Sequence, residues 1–234
     1  MPSRTHPLIW SLFALVLLCS SHAVAKGSSR GYTLEKHSFW SSSLQGEVGY
    51  RVALPPGYSS PENQDRRYPV IYLLHGLKGS SWDWLYIGRL HEKLGKLVAA
   101  GQMGEVIAVS VNGGASYWTR QLDRVSRPGA DYARFTAIDL VAEVDRRYRT
   151  LRRRKFRSLV GLSMGGFGSM SLGLLFPHRF GSVVSLSGAL FREVPSSKTA
   201  YREVWGDPPQ AAHFDLHSPY ALAERVDVSQ GLPR

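Results

Sequence analysis

Cysteine is almost missing from this chain: among 234 residues only Cys19 carries a thiol. It falls inside a short apolar stretch near the amino terminus, so a chain cleaved after that stretch holds none. That excludes a disulfide framework, and it allows passage through an oxidising compartment without mispairing. Long apolar runs are lacking too. Leu8 to Leu18 covers 11 residues, whereas a membrane-spanning helix needs roughly 20. With Arg4 before it and Ala23-Val24-Ala25 behind it, the run reads as a secretory signal peptide over residues 1–25, which starts the mature chain at Lys26 and places it in the periplasm or outside the cell. A retained anchor is the alternative. Lipidation at Cys19 is disfavoured because Leu18 stands where a small residue is wanted.

Acidic residues are scarce: 18 against 29 Lys and Arg give a formal charge of +11, or +10 once Arg4 is removed with the leader. Much of the excess is local, in Arg146-Arg147, Arg149, Arg152-Arg153-Arg154-Lys155 and Arg157. Such a run attracts nucleic acid or an anionic envelope surface. It lacks interleaved aromatics and connects two buried elements, so it reads as a solvated loop face. Specific nucleic-acid binding is not expected, and weak association with an anionic envelope surface stays as a minor alternative. Nothing suggests a second span, an internal repeat or a long linker, and the 209 residues left after the leader (234 less 25) suit one domain.

Lys26 to Arg30 is small and polar, and residues 26–43 read as a flexible segment. Leu44 to Leu54 alternates, with Val48, Tyr50, Val52 and Leu54 on one side, as a half-buried strand does. Tyr68 to Leu74 is a continuous apolar run that predicts an interior strand ending at His75-Gly76. Trp84 to Leu97 has helical spacing, Val106 to Val111 is a short strand closing at Asn112-Gly113-Gly114, and Tyr132 to Tyr148 repeats large residues at three and four positions. Phe156 to Leu162 predicts a strand, Met164 to Phe176 a helix and Phe180 to Leu186 another strand. From Leu190 onward the sequence predicts one short helix, Tyr220 to Arg225, and otherwise loops. Strands separated by helices imply a mainly parallel sheet between helix layers.

Gly161-Leu162-Ser163-Met164-Gly165 is a G-x-S-x-G pentapeptide. Alone it is short, but here it follows an apolar strand and opens a helix, the context in which a serine is lifted on a tight turn as a nucleophile. A β-carbon at Gly161 or Gly165 would collide with the adjoining strand or helix, and Gly166 and Gly168 let the helix lie close to the sheet. No lysine follows, as a nucleotide loop requires. The tetrahedral oxygen of an acyl-transfer reaction needs donors: the Met164 amide is one, and the Leu77 amide, after the most buried strand, is the candidate second. His75 reads as a residue that anchors that turn.

Tyr68-Pro69-Val70-Ile71-Tyr72-Leu73-Leu74-His75-Gly76-Leu77, Asp139-Leu140 with Glu143-Val144-Asp145, Gly161 to Gly168, Arg179 to Gly188 and Ser218-Pro219-Tyr220-Ala221-Leu222-Ala223 together resemble the esterase family that includes S-formylglutathione hydrolases, feruloyl and acetylxylan esterases, enterochelin esterases and mycolyltransferases. The resemblance runs from about Leu44 to the last residue. It implies an α/β-hydrolase domain over 44–234, a Ser-Asp-His triad with Ser163 as nucleophile, an oxyanion hole from Leu77 and Met164, no metal or cofactor, and a small-molecule or polysaccharide-linked ester as substrate. Asn112 and Gly113 match the loop bordering the pocket, and Trp82, Trp84, Tyr117 and Trp118 occupy neighbouring loops.

In this resemblance the triad acid and histidine follow a stretch like Leu232-Pro233-Arg234, so both are absent from these 234 residues and the last strands and helices of the fold are expected to be missing. Serine is a poor nucleophile without a base. His178, His213 and His217 are poorly placed as substitutes, the latter two reading as surface residues, and Asp207, Asp215 and Asp227 have no oriented histidine to hold. Three readings result: a secreted serine carboxylesterase or acyltransferase working through an acyl-enzyme on Ser163 and impaired here, an inactive binding module using the ester pocket, and a basic envelope-surface or nucleic-acid binder.

Overall fold

The computed structural model describes residues 31–122, 129–195 and 199–226. The signal-peptide reading of 1–25, Lys26 to Arg30, Asp227 and Leu232 to Arg234 lie outside the described residues. Among the described residues, no helix is long and apolar enough to cross a membrane.

Strands β1 (Thr33–Ser41), β2 (Gly46–Leu54), β3 (Val70–Leu74), β4 (Ile107–Val111), β5 (Arg157–Leu162) and β6 (Ser182–Leu186) form one sheet in the order β1-β2-β4-β3-β5-β6. β1 and β2 are an antiparallel hairpin and β2 is antiparallel to β4, while β3, β4, β5 and β6 run parallel. This is the mixed sheet of an α/β-hydrolase. All five residues of β4 and four of the five of β3 are buried, which is why β3 reads as an unbroken apolar run and β4 as one broken only by Ser110. The chain leaves β3 for β4 on one side and later returns to β5 on the other. The carboxyl end of β3 is therefore a topological switch point, where open α/β sheets leave a crevice.

Helix α1 (Leu90–Ala99) covers one face, where Leu94 packs with Ala53, Leu73, Leu85 and Ala108. The other face is covered by a helix running through α2 (Tyr132–Arg134), a π-helical segment Phe135–Leu140 and α3 (Val141–Arg147), together with α4 (Met164–Leu175). Phe135, Leu140, Val144, Phe167 and Leu172 there join Tyr50, Tyr72, Val109 and Leu159 of the strands.

Three expectations are corrected. The 26–43 segment carries β1, whose register sets His37 opposite Tyr50 and Phe39 opposite Val48. Its inward positions mix polar and aromatic residues, Glu35, His37 and Phe39, so apolar alternation does not reveal it. The helix expected from Trp84 to Leu97 is divided: a π turn, Asp83–Ile87, is separated from α1 by Arg89 in the left-handed region at φ 48°. After Leu190 the chain forms α5 (Thr199–Trp205), α6 (Ala211–Asp215) and α7 (Pro219–Arg225).

The arginine run is bound into the fold more than a solvated face would be. Arg157 pairs with Asp145 at 2.6 Å, and Arg146 and Arg147 meet Glu143 at 2.6 and 2.9 Å. Burial works to raise the Glu143 pKa, but hydrogen bonds from Arg147, Arg146 and Tyr50 outweigh it and hold the carboxyl below its ordinary value. Arg149 lies 3.9 Å from the centre of the Tyr58 ring, and Arg154 Nε donates to the Pro177 carbonyl at 2.5 Å. Arg152, Arg153 and Lys155 remain exposed.

Candidate active site

β5 ends at Leu162 and α4 starts at Met164, leaving Ser163 to make the whole reversal at φ 54°, ψ −113°. An L-residue tolerates that conformation only where its surroundings over-determine it. Here Ser163 N–H donates to Leu186 O at 2.9 Å, and Ser163 O accepts from Phe167 N and Ala189 N, both at 3.0 Å. Helix and β6 exit thus hold the serine together. A β-carbon on Gly161 would stand 1.8 Å from Gly165 O, and one on Gly165 would stand 2.1 Å from Leu74 O. A β-carbon on Gly166 would stand 2.7 Å from Gly188 Cα, so the helix does press on the β6 exit. Gly168 does not serve the sheet as expected: its β-carbon would meet the Trp118 side chain at 2.5 Å.

The turn after β3 borders the serine directly, since a β-carbon on Gly76 would lie 3.6 Å from Ser163 Cβ. Gly79 N–H closes this turn on Gly76 O at 3.0 Å, with Lys78 at φ 63°. The turn's own hydrogen bond therefore does not use the Leu77 amide. Met164 N–H is one of the first amides of α4, which have no acceptor within the helix and carry its positive dipole end. His75 is 1% exposed, and its Nε2 accepts from Gly113 N–H at 2.9 Å. The ring proton then sits on Nδ1 and donates to Gly76 O at 2.7 Å. Burial lowers the His75 pKa, keeping the ring neutral. His75 is a brace for the turn, with both nitrogens committed.

Of the residues expected around the pocket, Asn112 and Gly113 do stand at the end of β4, next to the His75 turn. Asn112 Oδ1 accepts from Ser81 N–H at 2.7 Å. Trp118 is fully buried beneath this crevice. Its Nε1 donates to His75 O at 3.4 Å, and its ring would be 2.4 Å from a Gly113 β-carbon. Tyr117 is buried against Phe167, Tyr201 and Trp205. Both side chains belong to the buried core. Trp84 is half-buried and packs against the α1-side cluster. Trp82 is exposed, and its ring lies against that of Tyr86, tilted by 49° with 4.1 Å between centres. Sequence reading passes over Arg51, whose guanidinium lies 4.1 Å from the Trp82 ring centre and donates to Ser81 Oγ at 2.6 Å. A buried cation interrupting Tyr50-Arg51-Val52 is the signal that could have found it.

Residues 41–232 match the family model described as "Putative esterase". The chain belongs to this esterase family. It is 28% identical over 172 residues to an endo-1,4-beta-xylanase/feruloyl esterase of Xylanibacter ruminicola, covering 73% of this chain and 23% of that protein. The chain thus spans about a quarter of that curated relative. Among solved structures it is similar to a ferulic acid esterase (TM-score 0.69, 24% identity, 86% of this chain and 74% of that one). A substrate-bound fluorophosphonate-binding serine hydrolase of Staphylococcus aureus gives TM-score 0.71 at 15% identity, over 87% and 76% of the two chains.

None of the described histidines is hydrogen-bonded to Ser163 in this esterase-family chain. His37 Nε2 meets Glu35 at 2.9 Å, and His178 is exposed in the turn after α4. His213 and His217, expected at the surface, are buried beside Trp205. His213 Nε2 donates to Arg120 O at 2.8 Å, and His217 O accepts from Ser171 Oγ at 2.6 Å. Ser171 is eight residues along α4 from Ser163, about 12 Å down the helix axis. Asp207 sits by Arg202 at 3.4 Å. Among the described residues there is no group of three or more His, Cys, Asp or Glu placed to hold a metal.

Proposed function

We propose that the chain is a secreted or periplasmic serine esterase whose Ser163 Oγ attacks the carbonyl of a short-chain acyl ester. The single observation that carries the reading is the elbow itself. Ser163 is held at φ 54° by three backbone hydrogen bonds, at the head of α4 and in contact range of the Gly76 turn. In the attack a bond forms between Oγ and the carbonyl carbon, and the carbonyl oxygen takes the negative charge between the Met164 and Leu77 amides. The alcohol leaves, an acyl group stays on Ser163, and water releases it as the acid. The base that takes the Ser163 proton is, on the family resemblance, a histidine held by an acid, and it hands that proton to the departing alcohol. The substrate is a small-molecule or polysaccharide-linked ester, in keeping with the names of the relatives.

The test is acylation followed by intact mass. Mixed with p-nitrophenyl acetate, the chain is expected to gain one acetyl group slowly, and Ser163→Ala to gain none. Equal acetylation of both proteins defeats the reading. A chain that folds, binds ester and never acylates would instead favour the binding-module alternative, which draws on the lack of any described histidine bonded to Ser163.

A further inference from the structure

The β1–β2 register places Trp40 opposite Glu47, Ser38 opposite Gly49 and Lys36 opposite Arg51. Directly paired residues project to the same side of a sheet, so Trp40, Ser38, Lys36, Glu47, Gly49 and Arg51 share the face that α1 covers further along, with Lys36 exposed. Trp40 is 63% exposed, and Trp82 and Tyr86, which lie against Arg51, are 47% and 40% exposed. Between these aromatics the surface is polar. Ser38 Oγ and the Glu47 carboxylate lie 3.4 Å apart, and Asn112 Nδ2 is 3.2 Å from where a Gly49 β-carbon would stand.

The geometry points to a binding surface for a neutral polysaccharide chain. A pyranose ring offers an apolar C–H face and a rim of hydroxyls. Exposed aromatic rings can take the faces, and Ser38, Glu47 and Asn112 the hydroxyls. A protein partner would want contiguous apolar area, and here the rings are separated by polar side chains. Glu47 and Arg51 are four residues apart, about 13 Å along the strand, so the aromatics at the two ends match a short run of sugars rather than one. Gly49 keeps the floor between them low. The Trp82 ring is held in place: Arg51, 5% exposed, stacks on it and is itself tied to Ser81, whose N–H is bound by Asn112 at the end of β4. From β2 to β5 is three strand spacings, about 14 Å, which separates this surface from Ser163 across the crevice. The inference deepens the esterase reading by making the alcohol half of the ester part of a glycan, and it rests on that reading for the purpose of binding but not for binding itself.

Affinity electrophoresis of the full chain through gels containing neutral xylan, mixed-linkage β-glucan or galactomannan tests it. At least one polymer should retard the wild type and Ser163→Ala equally. Trp40→Ala and Trp82→Ala should each bind about five- to tenfold more weakly, with circular dichroism unchanged, and Trp82→Phe should keep most of the binding. No retardation in any of the three polymers overturns the proposal. Retardation indifferent to both alanine variants, or abolished by high salt as binding through the basic surface would be, also overturns it. Failure of Ser163 to acylate, with glycan binding intact, would count against the esterase reading alone.

Discussion

The backbone N–H of Gly113 donates to Nε2 of His75 across 2.9 Å. His75 leaves β3 and Gly113 leaves β4, so this bond ties the exits of two neighbouring strands. It also decides the tautomer, and with it the second bond, from Nδ1–H to Gly76 O. Gly76 O receives Gly79 N–H as well, so the turn that offers the Leu77 amide is fixed from the core side.

His75→Ala removes both bonds and leaves the buried Gly113 N–H without its acceptor. The expected cost is about 1–3 kcal/mol in a denaturant titration. Labelling of Ser163 by an activated phosphonate should slow by about tenfold or more if the Leu77 amide is the oxyanion donor proposed above, since a displaced donor of that kind acts only in the transition state. Unchanged stability together with unchanged labelling would show that the brace has no consequence.

Gly165→Ala should be among the most damaging single substitutions. Its β-carbon would lie 2.1 Å from Leu74 O, a backbone atom of the central strand that cannot swing aside. A loss of about 3 kcal/mol or more is expected from such overpacking. Gly104→Ala is the control, since nothing lies within 4 Å of its β-carbon and no positive φ is involved. It should change stability by less than about 0.5 kcal/mol. Urea midpoints of the two variants measure the contrast.

The buried His217 gives the fold a sensitivity to acid. Burial, then the neighbouring His213 and Arg120 charges, lower its pKa from 6.5 to about 3. The unfolded chain therefore takes up a proton that the folded chain refuses between these values. Stability from this group is complete above about pH 6.5 and is lost as pH falls toward 3, by as much as a few kcal/mol, on the order of 1.4 kcal/mol for each pH step crossed. His217→Gln should flatten that part of the stability profile between pH 7 and pH 4. An unaltered slope would mean that His217 does not set it.

The elements that carry the serine are the ones legible in the sequence. β3 and β4 are interior strands that announce themselves as apolar runs, broken only by Ser110, while β5 opens on Arg157-Ser158 and is marked by the turn at its end, where Gly161 and Gly165 admit no other residue. β1 is hidden because Glu35 and His37 occupy inward positions, their polarity met by each other and by Tyr148. α5 does carry a signal, Tyr201, Val204 and Trp205 at helical spacing and buried, but it is only seven residues long. Register puts Trp40 and Arg51 on one face, and no spacing within either strand records which residue of the other stands opposite. Tyr117 and Trp118, at φ 54° and 60°, follow the β4 exit in sequence, and both rings are buried in the core, which their spacing does not record.

The central claim is that Ser163 is the acylable nucleophile, and the most direct measurement is site mapping of a fluorophosphonate adduct on the 234-residue chain by peptide mass spectrometry. The adduct is expected on the peptide containing Ser163 and absent from Ser163→Ala. It should form slowly, since general-base assistance is worth about 10²- to 10⁴-fold and no described histidine is bonded to Ser163. An adduct on another residue, or one that persists in Ser163→Ala, would contradict the account.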